Sequence, residues 1–232
     1  MKRVFFFGGG MAEGAGLGKE TLGGKGAGLA EMTALGIPVP PGFTIETSVC
    51  ADYSRGAAVD GVREEVEKTL TRLEQSTEKR FGDAANPLLV SVRSGARSSM
   101  PGMMDTILNL GLTRRAVEGL AARSGARFAY DCRRRFLEMY SDIVLRIPRA
   151  EFERALEEAK HRKGVTADTD LTAEDLAGVV ASHEALVKAG TFRTILASSS
   201  GGRSARSSSP GTTSAPGPTA GCTGSRTIGA RP

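Results

Sequence analysis

No tryptophan occurs among the 232 residues, aromatics make up 5%, and there are only two histidines and three cysteines. Each shortage removes a class of function. Cys50, Cys132 and Cys222 are far apart and odd in number, so no metal-ligand or disulfide spacing is visible; a reducing, cytoplasmic setting is the default reading. His161 lies in a Lys-His-Arg-Lys run and His183 on an apolar helical stripe, so the first reads as solvated and the second as core, with neither a catalytic imidazole. The apolar run near the start, Val4 to Phe7, is too short for a signal peptide, and no stretch is long enough to span a bilayer. No acidic residue follows Glu184, whereas Arg193, Arg203, Arg206, Arg226 and Arg231 all lie beyond Gly190. Subtracting those 5 arginines from the 31 basic residues leaves 26 against 26 acidic ones, so the net charge of +5 belongs to the tail. A neutral body without interleaved aromatics argues against a nucleic-acid partner.

What is present supports a folded core: 40% of residues are hydrophobic, enough for one large or two small domains. Arg3 to Phe7 reads as a first strand ending in Gly8-Gly9-Gly10. After a glycine-rich loop, the turn Gly23-Gly24-Lys25-Gly26 enters a helix that is expected from Leu29 to Leu35 and stopped by Gly36 and Pro38. Backbone N–H groups, the positive end of a helix dipole and one ammonium then coincide, as in a phosphate cradle. The spacing is not that of a Walker A loop, and on its own the turn reads first as a plain tight turn.

Gly36 to Ile45, with three prolines, predicts a rigid extended segment running into a strand, and Thr47 to Tyr53 a short helix with Thr47 or Ser48 as N-cap. Val62 to Phe81 predicts an amphipathic helix ended by Gly82. Leu88 to Val92 follows an Asn-Pro breaker and reads as a buried strand that ends in Arg93. A guanidinium there either pairs with a carboxylate at a sheet edge or holds an anion. Met100-Pro101-Gly102-Met103-Met104-Asp105 is too apolar for a solvent loop and too broken for a helix, which suits a semi-buried hinge or lid. Beyond Gly111 the pattern is helical: two helices over Arg114 to Leu145 divided at Gly125, one around Phe152 to Ala159, and one around Leu176 to Val187. The last opens on Thr172-Ala-Glu-Asp175, a capping box with aspartate in place of the usual Glu or Gln. From Ser198 onward, Ser, Gly, Thr and Pro supply 25 of the last 35 residues. Such a segment buries too little apolar area to offset about 1–2 kcal/mol of backbone entropy per residue, so disorder is expected.

The string SVRSGAR followed by SMPGMMDTILNLG resembles the nucleotide-binding domain of the pyruvate phosphate dikinase family nearly residue for residue, and GGKG and GIPVPPGF match it as well. The related phosphoenolpyruvate synthases share the arginine but lack the MPGMMDT run; a synthase-like ATP-binding fragment and a stand-alone nucleotide-binding module without catalysis are the alternatives. The resemblance covers Arg3 to about Gly190. It implies an α+β fold, the first lobe of an ATP-grasp-type nucleotide-binding domain over 1–112, with a mixed sheet and flanking helices, and a helical insert subdomain over 113–190; beyond it, composition gives a disordered tail over 191–232. It implies ATP as ligand, with Gly23, Gly24, Lys25, Gly26, Arg93, Gly102, Met103 and Asp105 binding it and Arg93 also catalytic. The family's reaction converts ATP, phosphate and pyruvate into AMP, pyrophosphate and phosphoenolpyruvate through a carrier histidine in another domain. Mg2+ is used in the full-length family, but its ligands, the carrier histidine and the sites for pyruvate and phosphate fall outside what this chain matches. The chain therefore reads as a fragment inactive alone, with no metal site, no nucleic-acid partner and no membrane; the full-length family is expected to form homodimers. The tail reads as an out-of-frame continuation: taken one base out of register, its codons permit IPHDPREQLRRAIRAVFESWNN, which is similar to the family's continuation.

Overall fold

A computed structural model describes residues 2–94, 106–200 and 226–230. The chain combines a six-stranded sheet with helices on its flank and a separate run of helices, an α+β arrangement. The strands are β1 (Val4–Gly8), β2 (Met11–Ala12), β3 (Gly42–Ile45), β6 (Val90–Ser94), β7 (Thr106–Leu110) and β8 (Arg226–Ala230), in the order β2-β1-β3-β8-β6-β7. Among the described residues every pairing in it is antiparallel, in place of the mixed sheet expected from sequence, and the one parallel pair joins β4 (Arg80–Phe81) to β5 (Pro87–Leu88) in a separate two-stranded ribbon.

Alternation along the strands separates the two faces. Val4, Phe6, Phe43 and Val90 form one core with Leu73 of α3 (Asp60–Thr77), and Ile45 and Ile228 pack against it. Phe5 and Thr44 occupy the opposite face, where α1 (Gly18–Ala34) lies with Leu22, Ala27 and Ala30 against Phe5. Two local readings change. α3 ends at Thr77 with Glu78 in the left-handed region at φ 55°, so Arg80 and Phe81, expected in the helix, pair as β4 instead. α2 (Thr47–Ser54) has no side-chain cap, because Thr47 Oγ1 donates to the Glu20 carbonyl at 2.6 Å and so ties α2 to the start of α1.

The helical part comprises α4 (Arg114–Ser124), α5 (Ala126–Tyr140), a π-helical turn Ser141–Leu145, α6 (Arg149–Lys163) and α7 (Ala173–Ser200). Gly125, at φ 90°, divides α4 from α5 as its position suggests. Asp175 Oδ2 accepts from the Thr172 amide at 2.8 Å and the Thr172 hydroxyl at 2.6 Å, so the aspartate variant of the capping box forms; Lys163 also pairs with it. These hydrogen bonds from Lys163 and Thr172 hold the Asp175 carboxyl far below the usual range. Glu184 joins Arg114 of α4 to Arg133 of α5, and Arg133 donates to the Leu112 carbonyl at 2.5 Å. His183 is 1% exposed and stands edge-on to Phe152, as expected of a core residue.

Two expectations about the C-terminal region need correction. α7 runs on to Ser200, past the boundary expected at 190. Residues 226–230, assigned from composition to a disordered tail, form β8 in the middle of the sheet, because Ile228 supplies an apolar residue to the core face and Gly229 a bare one opposite Gly42. Composition averages over a segment and misses five residues that alternate correctly. Among the cysteines, Cys132 is buried, whereas Cys50 is disulfide-bonded, against the absence of disulfide spacing in the sequence. No helix of the described residues is long and apolar enough to cross a membrane.

Candidate functional site

The GGKG turn lies inside α1 rather than before it. Gly23 adopts φ 70° and ψ 166°, which breaks the helix into two segments and is open only to glycine at low cost. The second segment follows this break, and a helix start carries the positive end of its segment's dipole. Lys25 is half-buried at this start. Gly26 sets the height of the turn above the sheet: a Cβ there would stand 2.7 Å from Thr44 Cγ2, so only a bare backbone approaches β3 this closely. Thr44 is 1% exposed and, among the described residues, its hydroxyl oxygen has no hydrogen-bond partner.

Arg93 arrives from the other half of the sheet. Thr44 of β3 pairs with Thr227 of β8, and Thr227 pairs with Arg93 of β6. Directly opposite residues share a face, so Arg93 occupies a register position on the α1 side, two strand spacings or about 10 Å from Thr44. Arg93 is exposed, and among the described residues no carboxylate pairs with it or with Lys25. The sheet thus brings Gly23, Gly24, Lys25 and Gly26 to the same face as Arg93, although 68 positions separate the two cations (93 − 25). Gly102, Met103 and Asp105 lie outside the described residues. Among the described residues no group of three or more His, Cys, Asp or Glu is placed to hold a metal ion.

Thr44 was not singled out in the sequence. Its place opposite Phe43 in the strand GFTI marks it as facing away from the main core, but its contact with Gly26 depends on how α1 docks.

A glycine-broken helix start with an ammonium, on the same sheet face as a guanidinium that no carboxylate pairs with among the described residues, is an arrangement suited to holding phosphate oxygens. In line with it, residues 19–62 match the family of the pyruvate phosphate dikinase AMP/ATP-binding domain. Over 185 residues the chain is 53% identical to pyruvate, phosphate dikinase 1, chloroplastic, of Oryza sativa subsp. japonica, a match covering 79% of this chain and 20% of that protein. It is 51% identical over 173 residues to pyruvate, phosphate dikinase of Clostridium symbiosum, covering 73% and 20%, and 52% identical over 187 residues to the Arabidopsis thaliana chloroplastic enzyme, covering 80% and 19%. The chain spans about a fifth of the length of these relatives. It is a fragment of the pyruvate phosphate dikinase family, which is a family of phosphotransferases.

Proposed function

We propose that this chain supplies the phosphate-gripping half of a dikinase ATP site, with the glycine turn and Lys25 on one side and Arg93 on the other. Arg93 offers a planar fork that holds two phosphate oxygens at once; Lys25 acts as a point charge beside the helix start. The reading is carried by the Gly26–Thr44–Thr227–Arg93 row, which sets both cations on one sheet face with no carboxylate competing for them among the described residues. Residues 1–112 are then the first lobe of an ATP-grasp-type domain and 113–190 its helical insert. Gly102, Met103 and Asp105 complete the nucleotide contacts. In the whole enzyme the bound ATP phosphorylates a carrier histidine elsewhere, and pyruvate and phosphate are handled by other domains. Phosphoryl transfer rests on positioning and on neutralising charge by cations and Mg2+. The metal is held by groups outside this chain, and Arg93 stabilises charge on the transferred phosphoryl group. The setting is cytoplasmic and the intact enzyme a homodimer.

Titration of the full chain with ATP, followed by calorimetry, tests the reading. Lys25→Gln and Arg93→Gln are each expected to weaken binding at least tenfold. ATP affinity unchanged in both variants would refute the assignment.

A further inference from the structure

The cavities of the described residues differ in how their cations are matched. In a cavity of about 550 Å³ beside α5 and α6, Arg134, Arg135 and Arg149 are paired with Asp131, Glu138, Glu153 and Asp168. In another, of about 280 Å³, Arg114 and Arg133 share Glu184. A third, of about 400 Å³, sets Lys2 and Arg72 on Glu13, with Lys68 and the carboxylate of Glu65 also in its wall. A fourth, of about 470 Å³, is different. It lies between the β4–β5 ribbon, β7 and the α4–α5 corner, and its lining contains Lys79 and Arg123 but no carboxylate.

Neither cation of that cavity is in an ion pair among the described residues. Arg123 donates through Nη1 to Asn86 Oδ1 at 2.8 Å, and the Asn86 amide donates in turn to the Glu78 carbonyl at 2.8 Å. That chain orients the guanidinium and, among the described residues, leaves its other donors uncommitted. Asp83, the acid of the neighbouring loop, accepts the amides of Ala85 and Asn86, and the cations acting on it are Arg80 and Arg115. The lining also contains apolar residues: Leu89 and Leu120 contribute to it, and Phe128 is 52% exposed. The buried Asn109 also lines it, donating to the Cys132 carbonyl at 3.3 Å.

We propose that this cavity binds a small organic anion: one phosphate or carboxylate on Lys79 and Arg123, attached to a flat apolar body that lies on Phe128. The charge excess selects the anionic group, and the exposed ring and leucine wall give the remainder of the ligand a surface to cover. The volume falls in the range of small-molecule sites. The site is separate from the Lys25–Arg93 face, since none of its lining residues comes from α1, β3 or β6.

Phenyl phosphate added to the full chain is the probe, with inorganic phosphate and phenol as controls, followed by ligand-observed NMR and calorimetry. Saturable binding of phenyl phosphate is expected, tighter than either control. The paired variant Lys79→Gln and Arg123→Gln is expected to weaken it at least tenfold, and Phe128→Ala about fivefold. All three side chains are exposed or half-buried, so the variants retain the fold, which thermal unfolding verifies. Lys25→Gln is expected to leave the binding unchanged. Absence of saturable binding, binding unaffected by the paired variant, or binding lost in Lys25→Gln would each overturn the proposal.

Discussion

Replacing Gly26 by alanine perturbs the candidate site through packing alone. The new methyl would lie 2.7 Å from Thr44 Cγ2 and 3.1 Å from both Thr44 Oγ1 and Leu22 Cβ. Ordinary carbon contacts begin near 3.5 Å, so the gap must open by roughly 0.8 Å. Thr44 cannot yield: it is β-branched, 1% exposed and held in register by β1 on one side and β8 on the other. The adjustment therefore falls on α1, which lifts off the sheet and carries Lys25 with it. Overpacking of this kind costs about 1–3 kcal/mol, and the helical preference of alanine over glycine returns roughly 0.5–1 kcal/mol. A net loss of about 1–2 kcal/mol is expected, together with ATP affinity reduced about tenfold, which corresponds to about 1.4 kcal/mol. Gly28→Ala, where an added Cβ meets nothing within 4 Å, is the control and should be neutral or slightly stabilising with affinity unchanged. Thr44→Ala placed in the Gly26→Ala background removes the clash and should restore binding. Thermal unfolding and ATP titration of the four proteins measure both effects. Equal behaviour of Gly26→Ala and Gly28→Ala would show that the close approach of α1 to β3 does not set the position of Lys25.

Further outcomes follow from the same structure. Thr44→Val removes a buried hydroxyl with no hydrogen-bond partner and keeps the shape, so it should stabilise the protein by roughly 1 kcal/mol; a lower melting temperature would contradict this. The Glu13 carboxyl is pushed up by burial, but hydrogen bonds from Lys2, Arg72 and the Phe6 amide outweigh that and bring it down to about 2. Its folded value lies below the ordinary 4.5, so its stabilisation is complete above that pH and disappears as pH falls from about 4.5 to about 2. With a partly exposed side chain that amounts to about 1–2 kcal/mol, and Glu13→Gln should flatten the stability profile over that window in denaturant titrations. Burial also holds the His183 imidazole below its usual 6.5, and its Nε2–H donates to the Phe152 carbonyl at 3.1 Å. The unfolded chain then takes up a proton at higher pH than the folded one, so stability falls as pH drops below about 6.5, and NMR titration of the ring should show a midpoint below that value. The full chain should give no phosphoenolpyruvate from ATP, phosphate and pyruvate, since the carrier histidine and metal ligands of the proposed reaction lie elsewhere; detectable product in a coupled assay would refute this.

Local chemistry was readable wherever neighbours in sequence decide the outcome. The Thr172–Asp175 cap, the division at Gly125, and the core position of His183 follow from spacing and side-chain type. Features that depend on distant partners were not. Thr47 would cap α2 in isolation, yet the Glu20 carbonyl 27 positions earlier takes its hydroxyl. Arg80 and Phe81 fit the amphipathic pattern of α3, but pairing with Pro87 and Leu88 draws them into a ribbon. GGKG announced a turn before a helix; its placement within α1 reflects the room that Gly26 finds above Thr44. In the candidate site, the residue types of Lys25 and Arg93 were evident, whereas their shared face depends on β8, which composition had assigned to disorder.

The central place of β8 imposes an order on assembly. β3 and β6 do not pair with each other; each pairs with β8, and Phe43 finds Ile228 only 185 positions later (228 − 43). Closing a loop of that length costs roughly 4–5 kcal/mol before any contact compensates it, and sheets built on such distant pairs form slowly. During synthesis the β1–β2–β3 ribbon and the β6–β7 hairpin must wait, edges open, until residue 226 has left the ribosome. Over that interval the nascent chain presents two unpaired strand edges, which are where association with other chains begins.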